Sequence, residues 1–246
     1  MRRPLDVVSL LHEGRVSYDA AFRLQREAAQ RVKEGGPETL FLLEHEDVIT
    51  IGRNADRREL LATDELLARH GIAVRESDRG GKLTYHGPGQ LVAYPVLDLA
   101  PDRTDVRRYV RDLEEVLIRT AADFGIPAER SPVPERWSSV WVGNDKLAAI
   151  GIHLSRWVTT HGVALNVTTD LARFSLIVPC GIADAGVTSL ERLLDGRKAP
   201  TLPEVAMRFV THFTELFRRD PSGELHALEA GLHRTPAVSE GGQGGR

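Results

Sequence analysis

The chain contains little of what several classes of protein depend on. Its 246 residues include a single cysteine, Cys180, which excludes a disulfide framework and any zinc or iron–sulfur site with several cysteine ligands. No apolar run approaches the roughly 18 residues that a membrane span needs. The first residues, Met1–Asp6, carry the positive charges of a signal peptide but not its apolar stretch. We therefore expect no membrane partner and a cytoplasmic protein whose one thiol is reduced.

Charge is nearly balanced, and lysine is scarce. With 32 basic and 35 acidic residues the formal net charge is −3, which argues against a surface built for nucleic acid, so we expect no such partner. Only four of the basic residues are lysines: Lys33, Lys82, Lys146 and Lys198. Because arginine supplies the charge almost everywhere else, each lysine is a candidate for chemistry that arginine cannot do.

Apolar spacing predicts helices at Tyr18–Lys33 and Thr104–Phe124, and a last helix opening at the capping box Thr201–Glu204. Closely spaced strand candidates, joined by hairpin signals, occupy Trp137–Val142, Leu147–Leu154 and His161–Val167. Strands outnumber helices, and hairpins favour an antiparallel or mixed sheet. The pattern predicts a single α+β domain over residues 1–234, followed by a disordered, glycine-rich tail at 235–246.

The densest local signal is the segment Asp78–Gln90, which has four glycines within ten residues and is predicted to be a loop. Glycines leave backbone amides open to close approach by a ligand. The segment lacks the spacing of a phosphate-binding P-loop. From the residues alone, an ordinary pair of turns around a short strand explains it equally well.

Cys180 and Lys146 are the candidate reactive residues. Proline before Cys180 and glycine after it suggest a loop at a strand end, where a nucleophile is commonly placed; a buried, inert cysteine is the alternative. Lys146 begins an apolar strand, so its ammonium is either desolvated or a solvated hairpin residue beside Asp145. A lysine next to a cysteine would stabilise the thiolate.

The histidines show no metal-ligand spacing, so no metal site is expected. His86 and His161 are flanked by glycines or stand at a strand start, which makes them candidates for a site. His45 lies between two glutamates and is predicted to occupy a surface turn.

Together these segments resemble the octanoyltransferases of lipoate biosynthesis, the LipB type. The resemblance runs from about residue 5 to 220 and rests on motifs in one order: Leu43-Glu44-His45, Arg79-Gly80-Gly81 with Thr84–Gln90, Lys146-x-Ala148-Ala149-Ile150-Gly151, His161-Gly162-x-Ala164-Leu165-Asn166 and Pro179-Cys180-Gly181. One departure is Glu46-Asp47, which stands where the family usually has two prolines.

The resemblance implies a fold like the catalytic domain of biotin and lipoate protein ligases, an α+β mixed-sheet domain. It implies transfer of an octanoyl group from octanoyl-acyl carrier protein to a lysine ε-amine, through an acyl-cysteine thioester. The implied acceptors are the lipoyl domains of 2-oxoacid dehydrogenase complexes and the glycine cleavage H protein. Thioester to thioester to amide is downhill, so neither ATP nor a cofactor is expected.

By matched position, Cys180 would be the nucleophile and Lys146 the residue that lowers the pKa of its thiol. The residues implied to line the acyl site are Arg79, Gly80, Gly81, Lys82, Leu83, Thr84, Tyr85, His86, Ala149, Ile150, Gly151, Gly162, Val163 and Ala164. Two alternatives remain at this point. One is an ATP-dependent lipoate–protein ligase on the same fold, and the other is a non-catalytic module that binds an acyl chain or lipoate.

Overall fold

The computed structural model describes residues 2–131, 133, 138–178 and 185–223. The helices are α1 Tyr18–Lys33, α2 Asp64–Arg69, α3 Val106–Ala122, α4 Leu190–Leu193 and α5 Leu202–Phe217, with 3₁₀ turns at Arg57–Glu59 and Leu171–Leu176. The strands are β1 Arg3–Ser9, β2 Glu38–Leu43, β3 Val48–Ile51, β4 Ala73–Glu76, β5 Leu83–His86, β6 Gln90–Val96, β7 Glu129–Arg130, β8 Ser139–Val142, β9 Asp145–Ser155, β10 Val158–Asn166, β11 Gly186–Val187 and β12 Arg219–Gly223. Cys180 and the tail predicted at 235–246 lie outside the described residues.

The described strands form two sheets. The main sheet has the order β12-β1-β2-β6-β10-β9-β8-β7, with β11 beside β9, and the small sheet has the order β4-β3-β5. Parallel pairs such as β1–β2 occur beside antiparallel pairs such as β6–β10, so the main sheet is mixed. The predicted α+β class is confirmed.

Strand β2 shows how the core is divided. Leu40 and Leu42 point to a cluster that includes α3 and α5, whereas Phe41 and Leu43 point to a cluster with α1. Successive side chains of a strand face opposite sides of a sheet, and here helices cover both sides. All six residues of β2 are therefore buried.

The helix ends follow local chemistry that the sequence displays. Helix α1 has the predicted bounds, with the Ser17 hydroxyl accepting a hydrogen bond from the Ala20 amide at 3.3 Å. Helix α5 begins with the predicted capping box, in which the side chains of Thr201 and Glu204 each accept from the other's backbone amide. Of the helices described, none has the length and apolar composition needed to cross a bilayer.

Several strands differ from the prediction. The short strands β7 and β11 were not predicted, and β10 begins at Val158 and not at His161. The segment 78–90 is not all loop, because Leu83–His86 forms β5, which pairs antiparallel with β3. Sequence patterns also missed β12, which pairs parallel with β1 near the other end of the chain. Its Arg219 is buried and donates to the Glu38 carboxylate at 2.5 Å, so an ion pair fixes β12 against the start of β2.

Candidate active site

A cavity of about 320 Å³ lies between the main sheet and the small sheet. Its lining includes every residue implied for the acyl site except Tyr85, together with Tyr18, Tyr94 and His161. A much smaller cavity adjoins it: both are lined by Leu83, Thr84, Ala149 and Ala164, and the smaller one adds Lys146. Residues from distant segments, on β5, β9 and β10, are thus brought to one place.

The floor of the large cavity consists of small residues on two paired strands. Ala149 is opposite Ala164, and Gly151 is opposite Gly162. A Cβ on Gly162 would overlap the Ala93 carbonyl oxygen on β6. A Cβ on Gly151 would lie 2.9 Å from Cδ of Arg79. Gly162 therefore permits the close approach of β6, and Gly151 leaves room for the segment that covers the strands; the cavity between this cover and the floor is called the groove.

The cover of the groove is the segment Arg79–Thr84. Its Gly80 amide donates to the Ile152 carbonyl of β9 at 2.8 Å. The buried Arg79 guanidinium donates to the backbone carbonyl of Thr50 at 2.9 Å and to the carbonyl of Gly80 at 3.0 Å. Arg79 therefore fixes this segment between β3 and β9 while its side chain forms part of the cavity wall.

Lys146 is 7% exposed, so its interpretation as a solvated hairpin residue is wrong. Its Nζ lies 5.3 Å from the centre of the Trp141 ring, which places the ammonium against an aromatic face. Lys146 also pairs with Val187 of β11. Val187 and Phe174, which stand on either side of Cys180 in the sequence, line the same small cavity as Lys146.

A chain of buried amides joins the two cavities. His86 Nδ1 donates to Gln90 Oε1 at 2.7 Å, and Gln90 Nε2 donates to Asn166 Oδ1 at 2.9 Å. Asn166 Nδ2 then donates to the Thr188 carbonyl at 3.0 Å, and the Thr188 amide donates to the Lys146 carbonyl at 2.9 Å. Burial lowers the pKa of His86 well below its ordinary value, so its imidazole is neutral and keeps one acceptor nitrogen.

His45 is fully buried, and the prediction of a surface turn is wrong. Its Nδ1 lies 2.8 Å from the Val16 carbonyl oxygen, and its Nε2 lies 2.8 Å from the Tyr94 hydroxyl. Since a carbonyl can only accept, Nδ1 carries the proton and Tyr94 donates to Nε2. Burial lowers the pKa of His45 to about 4. His45 thus orients a tyrosine of the cavity wall.

His161 has an unusual backbone. Its φ is 59°, a left-handed conformation that is uncommon for residues other than glycine, although it lies inside β10. Its amide donates to Gln25 Oε1 at 2.6 Å, and its Nε2 lies 2.6 Å from Asp78 Oδ1. Burial lowers the pKa of His161, and the Asp78 carboxylate partly opposes that shift.

Tyr85 is placed away from the cavity lining, in the core of the small sheet. Its ring packs edge-on against Phe174 with centroids 5.5 Å apart, and its hydroxyl donates to Asp47 Oδ1 at 2.7 Å. Sequence reasoning did not name Gln90, Asn166, Tyr18 or Tyr94 as site residues, although Gln90 and Asn166 lie within the motifs. For Gln90 and Asn166 a signal existed, since each is an amide side chain next to an apolar run, Leu91–Ala93 and Val163–Leu165.

Comparison with known families agrees with this geometry. Residues 17–214 match the model of the lipoyl protein ligase A/B catalytic domain. The chain belongs to this family. The resemblance noted from the motifs is therefore confirmed at the family level.

Curated relatives include the octanoyltransferase of Solibacter usitatus, 51% identical over 205 residues, which span 83% of this chain and 90% of that protein. The octanoyltransferase of Acidobacterium capsulatum is 47% identical over 225 residues, spanning 86% of this chain and 90% of that protein. Both relatives are named as transferases, and their similarity to this chain extends over most of its length. This member of the lipoyl protein ligase A/B family is accordingly an acyltransferase.

Solved structures of low sequence identity share the fold. Lipoate-protein ligase A bound with ATP has a TM-score of 0.69 at 19% identity, with 94% of each chain covered. The bipartite lipoate protein ligase of Thermoplasma acidophilum has a TM-score of 0.68 at 18% identity, covering 94% of this chain and 92% of that one. The expected lipoate-ligase-like architecture is confirmed.

Proposed function

We propose that this enzyme transfers an octanoyl group from octanoyl-acyl carrier protein to the lysine ε-amine of a lipoyl domain, as a step of protein lipoylation. The acceptors in this proposal are the lipoyl domains of 2-oxoacid dehydrogenase complexes and the glycine cleavage H protein. The reaction belongs in the cytoplasm, where a reactive thiol is kept reduced.

The observation that carries the proposal is the floor of the groove beside Lys146. Alanines at 149 and 164 and glycines at 151 and 162 form a surface without branched or charged side chains. Such a surface accepts a straight alkyl chain and excludes water from it. The one lysine of the strand lies in the adjoining small cavity, at the end of the groove.

The proposed chemistry uses Cys180 as the nucleophile. Its thiolate attacks the octanoyl carbonyl carbon, the new sulfur–carbon bond forms, and the pantetheine sulfur leaves and takes up a proton. The neutral acceptor amine then attacks the acyl-cysteine, forms the amide and expels the Cys180 thiolate, which accepts the proton lost by the amine. Lys146 has the right charge to stabilise the thiolate and a proton that it can give and take.

The surroundings of Lys146 support its pairing with Cys180. Phe174 precedes the cysteine by six residues and Val187 follows it by seven, and both line the cavity that contains Lys146. The chain therefore approaches and leaves the 179–184 segment close to this lysine. An ammonium held against the Trp141 ring and largely out of water would attract a nearby thiolate more strongly than an ammonium in water does.

The test is the intact mass of the protein after mixing with octanoyl-acyl carrier protein, without ATP and without acceptor. We expect the mass to rise by one octanoyl group less one hydrogen, to fall again when an apo lipoyl domain is added, and not to rise in Cys180→Ala. Because the chain has one cysteine, an acyl group that neutral hydroxylamine removes, as it removes a thioester, is assigned to Cys180.

Two outcomes would overturn the proposal. Octanoylation of the acceptor by Cys180→Ala at a normal rate would mean direct attack by the acceptor amine. Release of pyrophosphate from ATP with free lipoate, and no reaction with the carrier-bound chain, would mean ligase chemistry.

A further inference from the structure

The groove has two chemically different ends. At one end Lys146 and Asn166 line the small cavity together with Thr84 of the cover. At the other end the cover segment is hydrogen-bonded to β9 between Gly80 and Ile152. Cover and floor thus run side by side, and the four residue steps from Asn166 to Gly162 on β10 span about 13 Å.

The ring of His161, which is 1% exposed, lines the large cavity at the end away from Lys146. The ring stacks on Phe22 with centroids 5.7 Å apart and meets Tyr94 edge-on at 6.1 Å. Along the groove, going away from Lys146, His161 is the next residue of β10 after Gly162, which has no side chain. An aromatic ring therefore stands directly beside the position of the floor that has no side chain.

The backbone conformation of His161 and two hydrogen bonds hold the residue in place. The left-handed backbone of His161 interrupts the alternation of side chains along β10. Gln25 on α1 accepts from the His161 amide at 2.6 Å, and Asp78, the residue before the cover, binds Nε2 at 2.6 Å. An uncommon conformation persists only where its surroundings determine it, and such conformations concentrate at functional sites.

We propose that His161, held by Gln25 and Asp78, is the stop that limits the length of the acyl chain in the groove. The inference rests on the proposed function, because it assigns the far end of the same acyl site. A chain whose carbonyl lies at Lys146 extends over the alanines and then the glycines, and its last carbon meets the imidazole. Longer chains are excluded because the ring cannot move without breaking its contact to Asp78, and the backbone that carries it is bonded to Gln25.

The test compares kcat/KM for dodecanoyl and octanoyl groups on the same carrier protein, in the wild type and in His161→Gly. Glycine removes the ring and adopts a positive φ without strain. We expect the dodecanoyl-to-octanoyl ratio to rise about tenfold or more, the discrimination that a few methylene groups provide in an apolar pocket. In His161→Asn, which keeps a smaller side chain and tolerates the left-handed conformation, we expect a smaller rise.

The matched control is His153→Gly. His153 also faces Asp78, with Nε2 3.8 Å from Oδ2, but it is not among the described residues that line the large cavity. Its ratio should equal that of the wild type. An unchanged ratio in both His161 variants would overturn the inference, because the end of the acyl chain would then not lie at His161. An equal rise in His153→Gly would overturn it as well. If the wild type transfers no octanoyl group, the proposed function fails instead, so the two failures are distinguishable.

Discussion

Lys146, one of the few lysines of an arginine-rich chain, is 7% exposed and lies against the ring of Trp141. Arginine would keep the charge, but its planar guanidinium is larger than an ammonium and does not release a proton at neutral pH. The burial of Lys146 gives a geometric reason for lysine, and the proposed mechanism adds a chemical one.

We expect Lys146→Arg to lose nearly all turnover, and Lys146→Ala to lose turnover and also to slow alkylation of Cys180 by iodoacetamide near neutral pH. Without a cation the thiol should approach the ordinary cysteine pKa of about 8.5. The measurement is alkylation rate against pH, alongside octanoyl transfer. Lys198→Arg, the same substitution away from the described lining of both cavities, should behave as wild type. An alkylation profile for Lys146→Ala that matches the wild type would show that Lys146 does not act on this cysteine.

His86 illustrates a different role in the same wall. Its Nδ1–H is committed to Gln90 at 2.7 Å, and burial keeps the pKa of the ring far below neutrality. We therefore expect His86 to shape the cavity and not to act as the general base. We expect His86→Asn, which keeps hydrogen-bonding capacity, to retain measurable kcat with a raised KM for the acyl donor. Loss of kcat at an unchanged KM would identify His86 as catalytic.

The residues of the cavity could largely be predicted from the sequence, because their motifs display glycine, alanine and lysine in a recognisable order. What could not be predicted is how contacts with distant residues determine the burial or the backbone conformation of a residue. His45 is flanked by glutamates, yet its ring is buried because Val16 and Tyr94 satisfy both nitrogens. The left-handed backbone of His161 depends on contacts with Gln25 and Asp78, which are far away in the sequence.

Among the elements, strands β6, β9 and β10 carry the site, and their ends are joined by the side chains of Gln90 and Asn166. These two residues are register partners on neighbouring strands and are nearly fully buried. Asn166 continues the link to Thr188, whose amide is bonded to the Lys146 carbonyl. Buried amides with all these partners fix one arrangement of the strands around the lysine.

Asn166→Asp tests this link with almost no change in shape. The carboxylate would face the Thr188 carbonyl oxygen at the former donor position, 3.0 Å away, and leave a buried acceptor without a donor. We expect the free energy of unfolding to fall by about 1–3 kcal/mol and kcat to fall with it. The measurements are urea unfolding and single-turnover transfer. Asn144→Asp, the same exchange on the exposed hairpin turn, should change neither. Wild-type kcat in Asn166→Asp would remove this link from the account of how Lys146 is positioned.

Element boundaries could be predicted where the signal is local. The ends of α1 and α5 follow from Ser17 and from Thr201 with Glu204, because a cap acts within three residues of itself. Strands β5 and β12 could not be predicted this way. Their partners β3 and β1 are distant in sequence, and pairing rather than propensity decides that these segments are extended.

For the whole molecule, the buried histidines link stability to pH. The pKa values of His45, His86 and His161 all lie below the ordinary value because burial disfavours the imidazolium. In the unfolded chain these groups titrate near 6.5. Below that pH the unfolded state therefore binds more protons than the folded state, and acid favours unfolding.

We expect the free energy of unfolding to fall as the pH is lowered from 7 to 5, and His45 to account for about 2 kcal/mol of that fall, given its folded pKa of about 4. The stabilisation is complete above pH 6.5 and is lost as the pH approaches 4. In His45→Gln, which cannot titrate, the fall in the free energy of unfolding between pH 7 and 5 should be smaller by about 2 kcal/mol. The measurement is urea unfolding at each pH. His12→Gln, at an exposed position, should leave the slope as in the wild type. If His45→Gln keeps the full wild-type slope, His45 is not the neutral, buried partner of Tyr94 in solution, and the wall of the groove is arranged differently.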